Sequence, residues 1–342
     1  MDRITPRLRI LTWHVHGNYL YYLTQTPHDF YLPVGRSGHG YAGRAPGFPW
    51  PDNVHEVPVE QVRDIHLDAI LFQSAAHYLT DQHEMLSEAQ RRLPKIYLEH
   101  DPPQHHPTNT RHIMDDPEAL LVHVTPFNEL MWDNGRTPTR VVQHGVLIPE
   151  QIRYTGEVNK GLVVVNGIQR RGRRLGWDVF ERVRRAVPLD LIGMESESSG
   201  GLGEISHDEL PRFMCRYRFV FNPIRYTSLG LAICEAMSLG IPIVGLATTE
   251  MATAVMNNVN GYVDTDVDVL IQRMRHLLAH PEDATQLSER AREIGRARFG
   301  IHRFTAEWDG TLRDAVQRHA GSFSTQWKPH ETPIAAAAGG AQ

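Results

Sequence analysis

The chain has 342 residues, 41% of them hydrophobic, and a net charge of −5, which are ordinary values for a soluble globular protein. This length predicts two domains, each able to bury its own core. The acidic balance argues against bulk nucleic-acid binding. Cys215 and Cys234 lie in apolar surroundings, and we find neither a signal sequence nor a run of about 18 apolar residues. We therefore expect no disulfide, no membrane span and a cytoplasmic location.

The first half of the chain predicts a parallel sheet that alternates with helices. Its short apolar runs are 9–14, 29–33, 69–73, 95–98 and 119–125. A turn at 16–18 follows the first run, as in a doubly wound sheet, but without the G-x-G-x-x-G fingerprint of nicotinamide binding. The Gly- and Pro-rich segment 34–52 is too long for an ordinary connection. It is either an acceptor-binding loop or a flexible excursion.

Residues 219–264 carry the most informative pattern in the chain. They are typical of a short buried strand, a helix, a second buried strand and a turn into a third strand. Gly240 stands where a left-handed residue ends a helix, and Pro242 prevents the helix from continuing. Ser228 and Gly230 are small residues at the start of this helix, where free amides and the positive end of the helix dipole can hold an anion.

Glu235 is a charged residue among small apolar ones. It follows Ser228 by seven residues, about two helical turns or roughly 10 Å along the same face. A carboxylate there can accept two hydrogen bonds from a ribose diol while a diphosphate occupies the start of the helix. The spacing predicts a nucleoside diphosphate site, and a structural helix with an exposed Glu235 is the alternative.

A basic loop lies between the predicted strand 161–166 and a helix that begins near Trp177. It contains four arginines among glycines, and guanidinium groups are well suited to hold a diphosphate. The four are Arg170, Arg171, Arg173 and Arg174. Spacing does not show which of them would face an anion, and a solvated basic loop is the alternative.

His100 and Asp101 directly follow the predicted strand 95–98. Open α/β sheets place ligand-binding groups at this end of their strands. With His105, His106 and His112, the same loop also suggests a metal site. A Pro-rich loop does not fix metal ligands in place, so we predict no metal here.

The stretch 235–244, EAMSLGIPIV, resembles a motif of the family-4 retaining glycosyltransferases, which have the GT-B fold. Their signature is a Glu, seven residues and a second Glu, followed by EAMA-x-G-x-P-V-V and later by G-x-L-V, to which 261–263 corresponds. Glu235 matches the second Glu, whereas Thr227 stands in place of the first. The family's Gly-Gly loop falls on 248–250, which reads Thr-Thr-Glu here.

Three further places support the resemblance. His100 resembles the histidine of the family's first domain that contacts the donor sugar. Residues 144–146, His-Gly-Val, correspond to the Asn-Gly-Val turn that precedes the interdomain linker. Residues 176–178 match a Gly-x-Asp pattern at a helix start, although Leu175 occupies the position of the family's lysine.

The resemblance implies an α/β protein of the GT-B fold, in which two Rossmann-like domains face each other across a cleft. We expect an N-terminal acceptor domain, a linker, a C-terminal nucleotide-sugar domain, a helix that crosses back to the first domain and a disordered tail. Their expected bounds are 1–146, 147–158, 159–305, 306–320 and 321–342, respectively.

The resemblance also implies a retaining, metal-independent glycosyltransferase of the hexosyltransferase type. It would move a sugar from a UDP- or GDP-sugar to a hydroxyl acceptor and need no cofactor besides this donor. Cations and amides would hold the departing diphosphate while His100 positions the sugar, with Asp101 and Glu235 as the other candidate catalytic residues. Donor binding is assigned to the four arginines, Glu235 and the helix start. The helix start comprises Thr227, Ser228, Leu229, Gly230 and Leu231.

The expected partners are a nucleotide-sugar donor and a small-molecule, glycan or lipid-linked acceptor, with no nucleic acid. A lipid-linked acceptor would bring peripheral contact with a membrane. Thr227 motivates an alternative, a catalytically inactive nucleotide-sugar-binding protein of the same fold. An epimerase of similar fold is a weaker alternative, because the Glu-Ala-Met run is not its usual form.

Overall fold

Two parallel sheets form the framework of residues 6–319, the part of the chain that the computed structural model describes. The strands are β1 (Arg9–Thr12), β2 (Asp29–Val34), β3 (Val54–Pro58), β4 (Ala69–Phe72), β5 (Lys95–Glu99), β6 (Leu120–His123), β7 (Thr139–Val141), β8 (Val158–Val164), β9 (Leu189–Ile192), β10 (Tyr217–Asn222), β11 (Ile243–Leu246) and β12 (Gly261–Asp264). The α-helices are α1 (Gly17–Leu23), α2 (Gln82–Met85), α3 (Pro126–Met131), α4 (Trp177–Val183), α5 (Leu210–Met214), α6 (Leu231–Leu239), α7 (Met251–Ala254), α8 (Val267–Ala279), α9 (Pro281–Phe299) and α10 (Ile301–His319).

Strand order shows where each sheet can bind a ligand. The first sheet runs β3-β2-β1-β4-β5-β6-β7 and the second runs β12-β11-β10-β8-β9. The order reverses between β1 and β4 in the first sheet and between β8 and β10 in the second. Ligands of open parallel sheets bind at such reversals, beyond the carboxyl ends of the strands. The expected fold class, two Rossmann-like α/β domains, is confirmed.

Most predicted strands are present because their apolar runs are buried on both faces. All four residues of β4 are buried, as in a typical parallel sheet. The sequence pattern did not predict β3, which pairs with β2 at the sheet edge and has only two buried residues, Val54 and Val57. An edge strand lacks the continuous apolar pattern that marks a central one.

The polar segment between β4 and β5 is divided into three short helical turns. It has a π-helical turn at His77–Asp81, then α2, then a 3₁₀ turn at Gln90–Arg92. A new helical turn begins at Ser87. The side-chain oxygen of Gln90 accepts the Ser87 amide, and the Ser87 hydroxyl oxygen accepts the Gln90 amide. This reciprocal pair is a capping box, and it competes with continuation of the helix.

The two domains share one continuous apolar core. Its residues include Leu20 of α1, Met237 of α6 and Trp308 of α10. Trp308 donates its indole N–H to Tyr19 at 3.1 Å, which joins α10 to the first domain. The tail expected at 321–342, and residue 320 of the expected final helix, lie outside the described residues. No helix within 6–319 has the length and apolar character needed to span a membrane.

The long segment 34–52 is attached to the first domain at several points. His14 and Gly40 form an antiparallel bridge, as do Val34 and Ala42. The Trp50 indole donates to the carbonyl of Ala45 at 2.8 Å. These contacts give the segment a defined path, and its role in acceptor binding stays a prediction.

Gly176 allows the basic loop before α4 to pack directly on the loop that follows β10. Its backbone is left-handed, with φ at 79°, and a Cβ atom there would lie 1.9 Å from the Pro223 carbonyl oxygen. Gly172, in the same loop, is also left-handed but has no atom within 4 Å of such a Cβ. Substitution of each glycine by alanine therefore distinguishes the cost of backbone strain, present at both positions, from the cost of steric contact, present only at Gly176.

We predict that Gly176→Ala destabilises the protein more than Gly172→Ala. Gly172→Ala should lower the free energy of unfolding by about 1 kcal/mol, the cost of a left-handed non-glycine residue. Gly176→Ala should cost about 2 kcal/mol more, because the added methyl meets a backbone oxygen. Urea denaturation of both variants measures the difference, and equal losses would refute the close approach to Pro223.

Candidate functional site

Helix α6 begins beside unfilled space. Gly230 is its N-cap, and no side chain caps the helix. Within the described residues, the amides of Leu231 and Ala232 have no hydrogen-bond acceptor. A Cβ atom placed on Gly230 would meet nothing within 4 Å. The start of α6 thus offers free N–H groups and room for an anion.

Ser228 and Leu229 are buried in the loop before α6 rather than in the helix. The expected two-turn separation of Ser228 and Glu235 on one helical face is therefore wrong, because the backbone becomes helical only at Leu231. Glu235 lies four residues after Leu231, about 6 Å along the helix axis. This spacing still places a carboxylate one turn behind the free amides.

The four arginines of the basic loop differ in their contacts. Arg170 makes a two-pronged ion pair with Glu195, at 3.0 and 2.9 Å. Arg173 is largely exposed and contacts Asp178 at 2.6 Å. In residues 6–319, neither Arg171 nor Arg174 lies within ion-pairing distance of a carboxylate.

Arg171 and Arg174 are neighbouring cations, and neither forms an ion pair with a carboxylate in residues 6–319. Burial, and then the positive charge of Arg174, lowers the pKa of Arg171, while Asp101 of the first domain raises it. The carbonyl of Arg174 accepts the amides of Arg225 and Tyr226, which fixes the loop against the segment before α6. Like charges held together disfavour each other, so this loop favours an anionic ligand.

His100 faces this arrangement from the end of β5. Its Nε2 lies 2.9 Å from the side-chain oxygen of Gln73, whose amide nitrogen donates to Thr12 and to the carbonyl of Trp13. This network assigns the proton of His100 to Nε2 and leaves Nδ1 as an acceptor. Burial, followed by the nearby His16 and His144, lowers the pKa of His100 well below its usual range. His100 is therefore neutral at pH 7.

His16 is a member of this cluster that no sequence pattern indicated as a site residue. Its ring centre lies 4.4 Å from that of His100, and its backbone is left-handed, with φ at 53°. His16 is exposed at the surface, but the protein atoms that surround its ring exclude part of the water, and this desolvation lowers its pKa. The charge of Asp101 raises the pKa, and that of Arg171 lowers it. Strained non-glycine backbone of this kind is found most often at functional sites. The only sequence signal was a histidine before the glycine of a β–α turn.

His144 is a second residue whose role spacing could not reveal. It is 5% exposed, and neither ring nitrogen has a hydrogen-bond partner in the described residues. Burial lowers its pKa to about 4, and the nearby carbonyl of Leu229 opposes this shift. A buried polar ring without a partner costs free energy unless a ligand or water satisfies it. His144 therefore adds a donor close to the loop that precedes α6.

The positions that depart from the family signature also lie at the cleft. Thr227, in place of the first Glu, approaches Asp101 with 3.5 Å between their side-chain oxygens. Thr249 adopts a left-handed backbone, with φ at 50°, as a glycine would. Glu250 is buried, forms an ion pair with Arg298 and accepts the amide of Phe127 at 3.4 Å. Asp101 thus places a carboxylate beside the position where the family has a glutamate.

Glu235 is buried between the domains and is only 4% exposed. Its Oε1 accepts the hydroxyl of Tyr22 in α1 at 2.8 Å. Burial raises the pKa of Glu235 to about 7, and the hydrogen bond from Tyr22 opposes the rise. The alternative of an exposed Glu235 is wrong, because α1 of the first domain covers this face of α6.

The histidines of the loop 100–112 do not converge. His112 is buried, with Nε2 3.2 Å from Glu99 and Nδ1 accepting the amide of Met114, whereas His105 and His106 are exposed. Within residues 6–319 no three His, Cys, Asp or Glu side chains are arranged to hold a metal ion. Cys215 and Cys234 are both free and buried.

Solved structures with the same architecture define the class of fold as GT-B. Sucrose-phosphate synthase from Thermosynechococcus elongatus superposes with a TM-score of 0.65 at 16% identity, over 92% of this chain and 100% of that one. HepE of Anabaena in complex with UDP gives a TM-score of 0.65 at 14% identity, over 90% and 100%. Such low identities show the fold alone.

Sequence comparison adds a family likeness to the second domain. Residues 181–280 match the family model described as Glycosyl transferases group 1. The trehalose synthase of Pyrococcus horikoshii is 25% identical over 134 residues, which are 37% of this chain and 30% of that enzyme. The chain thus covers less than a third of this relative. The expected resemblance to glycosyltransferases is confirmed, and membership of family 4 stays a prediction.

The buried carboxyl group of Glu235 predicts a pH-dependent difference between the protein and Glu235→Gln. Because folding raises this pKa from 4.5 to about 7, the associated stability is present below pH 4.5 and lost as the pH rises to about 7. The loss is of order 3 kcal/mol, at about 1.36 kcal/mol per pKa unit. Glutamine does not ionise, so the free energy of unfolding of Glu235→Gln relative to the wild type should increase between pH 5 and pH 8.

Urea denaturation at several pH values between 5 and 8 measures this difference. Other titrating groups are common to both proteins and cancel. A stability difference that stays constant over this range would show that Glu235 ionises as it does in the unfolded chain.

Proposed function

We propose that the protein is a retaining, metal-independent glycosyltransferase that moves a sugar from a nucleoside-diphosphate sugar to a hydroxyl acceptor. The observation that carries the proposal concerns the described part of the chain: α6 starts without a cap, Gly230 has open space beside it, and Arg171 and Arg174 in the adjacent loop form no ion pair. Free amides, a helix dipole and two guanidinium groups suit a diphosphate. They lie at the reversal of strand order between β8 and β10.

The first domain supplies the groups that would meet the donor sugar. His100 is neutral, and its free Nδ1 would accept a hydrogen bond from a sugar hydroxyl. Asp101 would accept others, in place of the carboxylate that Thr227 lacks. Glu235 would bind the ribose diol through its carboxylate. The electrostatic task of the site is then to stabilise the departing diphosphate, which amides and arginines do without a metal.

The acceptor would bind to the first domain, with the segment 34–52 as its candidate loop. HepE has been crystallised with UDP-glucose, which favours a UDP-sugar among the donors to be tested. A small-molecule, glycan or lipid-linked acceptor is compatible with this arrangement. The alternative is a protein that binds a nucleotide sugar without turnover. It is motivated by Thr227, which stands in the second domain where the family signature has a carboxylate.

Binding and turnover together test the proposal. Calorimetry should show that UDP, GDP or ADP binds. An activity assay should show that the corresponding nucleotide sugar is hydrolysed or transferred, and NMR of the product should show that the anomeric configuration is retained. Addition of EDTA should leave the rate unchanged. Binding without turnover of any nucleotide sugar would favour the inactive alternative, whereas absence of nucleotide binding would overturn the proposal.

We predict that Arg171→Ala lowers the affinity for the bound nucleoside diphosphate by about tenfold to a hundredfold, because charged hydrogen bonds contribute roughly 1.5–3 kcal/mol. Arg173→Ala is the matched control, since Arg173 is in the same loop but already contacts Asp178. Its affinity should stay within about twofold of the wild type. Titration calorimetry at constant ionic strength measures both, and equal losses would contradict the assignment of Arg171.

A further inference from the structure

Three tyrosines of α1 contact different parts of the molecule. Tyr19 accepts the indole N–H of Trp308, and Tyr21 stacks on Phe48 with ring centres 5.4 Å apart. Tyr22 donates its hydroxyl to Glu235 across 213 positions of sequence. Tyr22 is thus the member of α1 that reaches the carboxylate of the second domain.

We propose that Tyr22 is a positioning residue that orients Glu235 for the ribose of the donor and so makes nucleotide binding depend on contact between the two domains. This inference rests on the proposed function, in which Glu235 binds the ribose diol. Nothing in the family signature refers to α1, and the role follows from the hydrogen bond between the domains.

One of the two carboxylate oxygens of Glu235 has no hydrogen-bond donor within residues 6–319. Oε1 of Glu235 accepts from Tyr22 at 2.8 Å, and Oε2 has no donor among the described residues. A carboxylate can accept about four hydrogen bonds, so a bound Tyr22 does not exclude a ribose hydroxyl pair. Because Tyr22 and Glu235 are 1% and 4% exposed, neither side chain can readily turn away. Tyr22 therefore fixes the direction in which Oε2 points.

Few other titratable groups face Glu235. On α1, Tyr21 lies next to Tyr22, and His207 approaches the Tyr22 ring with centres 5.9 Å apart. On α6, Cys234 precedes Glu235, and Arg298 of α9 and Arg303 of α10 act on the pKa of Cys234. Burial raises the pKa of Glu235, and Tyr22 is the neighbour that lowers it.

Tyr22 consequently supports the ionised form of Glu235. An ionised carboxylate accepts both hydroxyls of a ribose diol, whereas the protonated form gives up one acceptor position to its own proton. Nucleotide affinity should therefore decrease as the pH falls through the pKa of Glu235. Loss of the Tyr22 hydroxyl should move this decrease to higher pH.

Tyr22→Phe tests the inference, because phenylalanine keeps the ring and removes only the hydroxyl. UDP or GDP, whichever the wild type binds, is titrated into both proteins between pH 5.5 and pH 9. The affinity of Tyr22→Phe should be about fivefold lower at pH 7, with its midpoint about one pH unit higher, and should recover only in part by pH 9, because the ionised carboxylate is then no longer held in one orientation. A thermal melt of each variant verifies that it is folded.

Tyr21→Phe is the matched control, since it removes a tyrosine hydroxyl from the neighbouring position of α1. The Tyr21 hydroxyl has no hydrogen bond to the described residues, so both affinity and pH profile should equal those of the wild type. The titration of the nucleotide itself is common to all three proteins and cancels in the comparison.

The outcomes separate this inference from the proposed function. If the wild type binds and Glu235→Gln weakens binding, but Tyr22→Phe matches the wild type at every pH, the positioning role is wrong and the ribose assignment stands. Tighter binding by Tyr22→Phe would also overturn it, since Tyr22 would then compete with the nucleotide. If the wild type binds no nucleotide, the proposed function and the inference both fail.

Discussion

Glu235 sits where a carboxyl group requires a hydrogen-bond donor, because α6 is buried on this face and charged groups are seldom buried alone. The donor comes from Tyr22 of the other domain at 2.8 Å. This contact links the helix that offers free amides to the domain that carries His100. It acts together with the contact between Thr227 and Asp101, which also joins the two domains at the cleft.

Several polar groups of the cleft have no hydrogen-bond or ion-pair partner among the described residues. Within residues 6–319 the start of α6 has amides without acceptors, and Arg171 has Arg174 as a neighbour but no carboxylate within ion-pairing distance. His144 is buried with two unsatisfied nitrogens. An anion with several oxygens would satisfy the free amides, the arginines and the single N–H of neutral His144, and Asp101 supplies the acceptor that a neutral part of the same ligand would need. Together they favour a ligand with a charged end and a hydroxyl-rich end.

Sequence patterns predicted the central strands and α6, because buried apolar runs and the glycine after a helix are local signals. They could not predict the position of Ser228 outside α6, since the loop is held by contacts with residues far away in sequence. The same limit applies to the site. His100 was predicted from its place after a strand and from the family resemblance, and Glu235 from a motif. Long-range contacts, which leave no spacing signal, bring Tyr22, His16 and His144 to the same region. The choice between Arg171 and Arg173 depended on which carboxylates fold next to them.

A crystal structure with bound UDP or GDP is the most direct test of the central claim. We expect the diphosphate at the amides of Leu231 and Ala232 with Arg171 in contact, and the ribose hydroxyls on Oε2 of Glu235 while Tyr22 still binds Oε1. A nucleotide bound elsewhere, or one that leaves Glu235 without a ribose contact, would contradict the account.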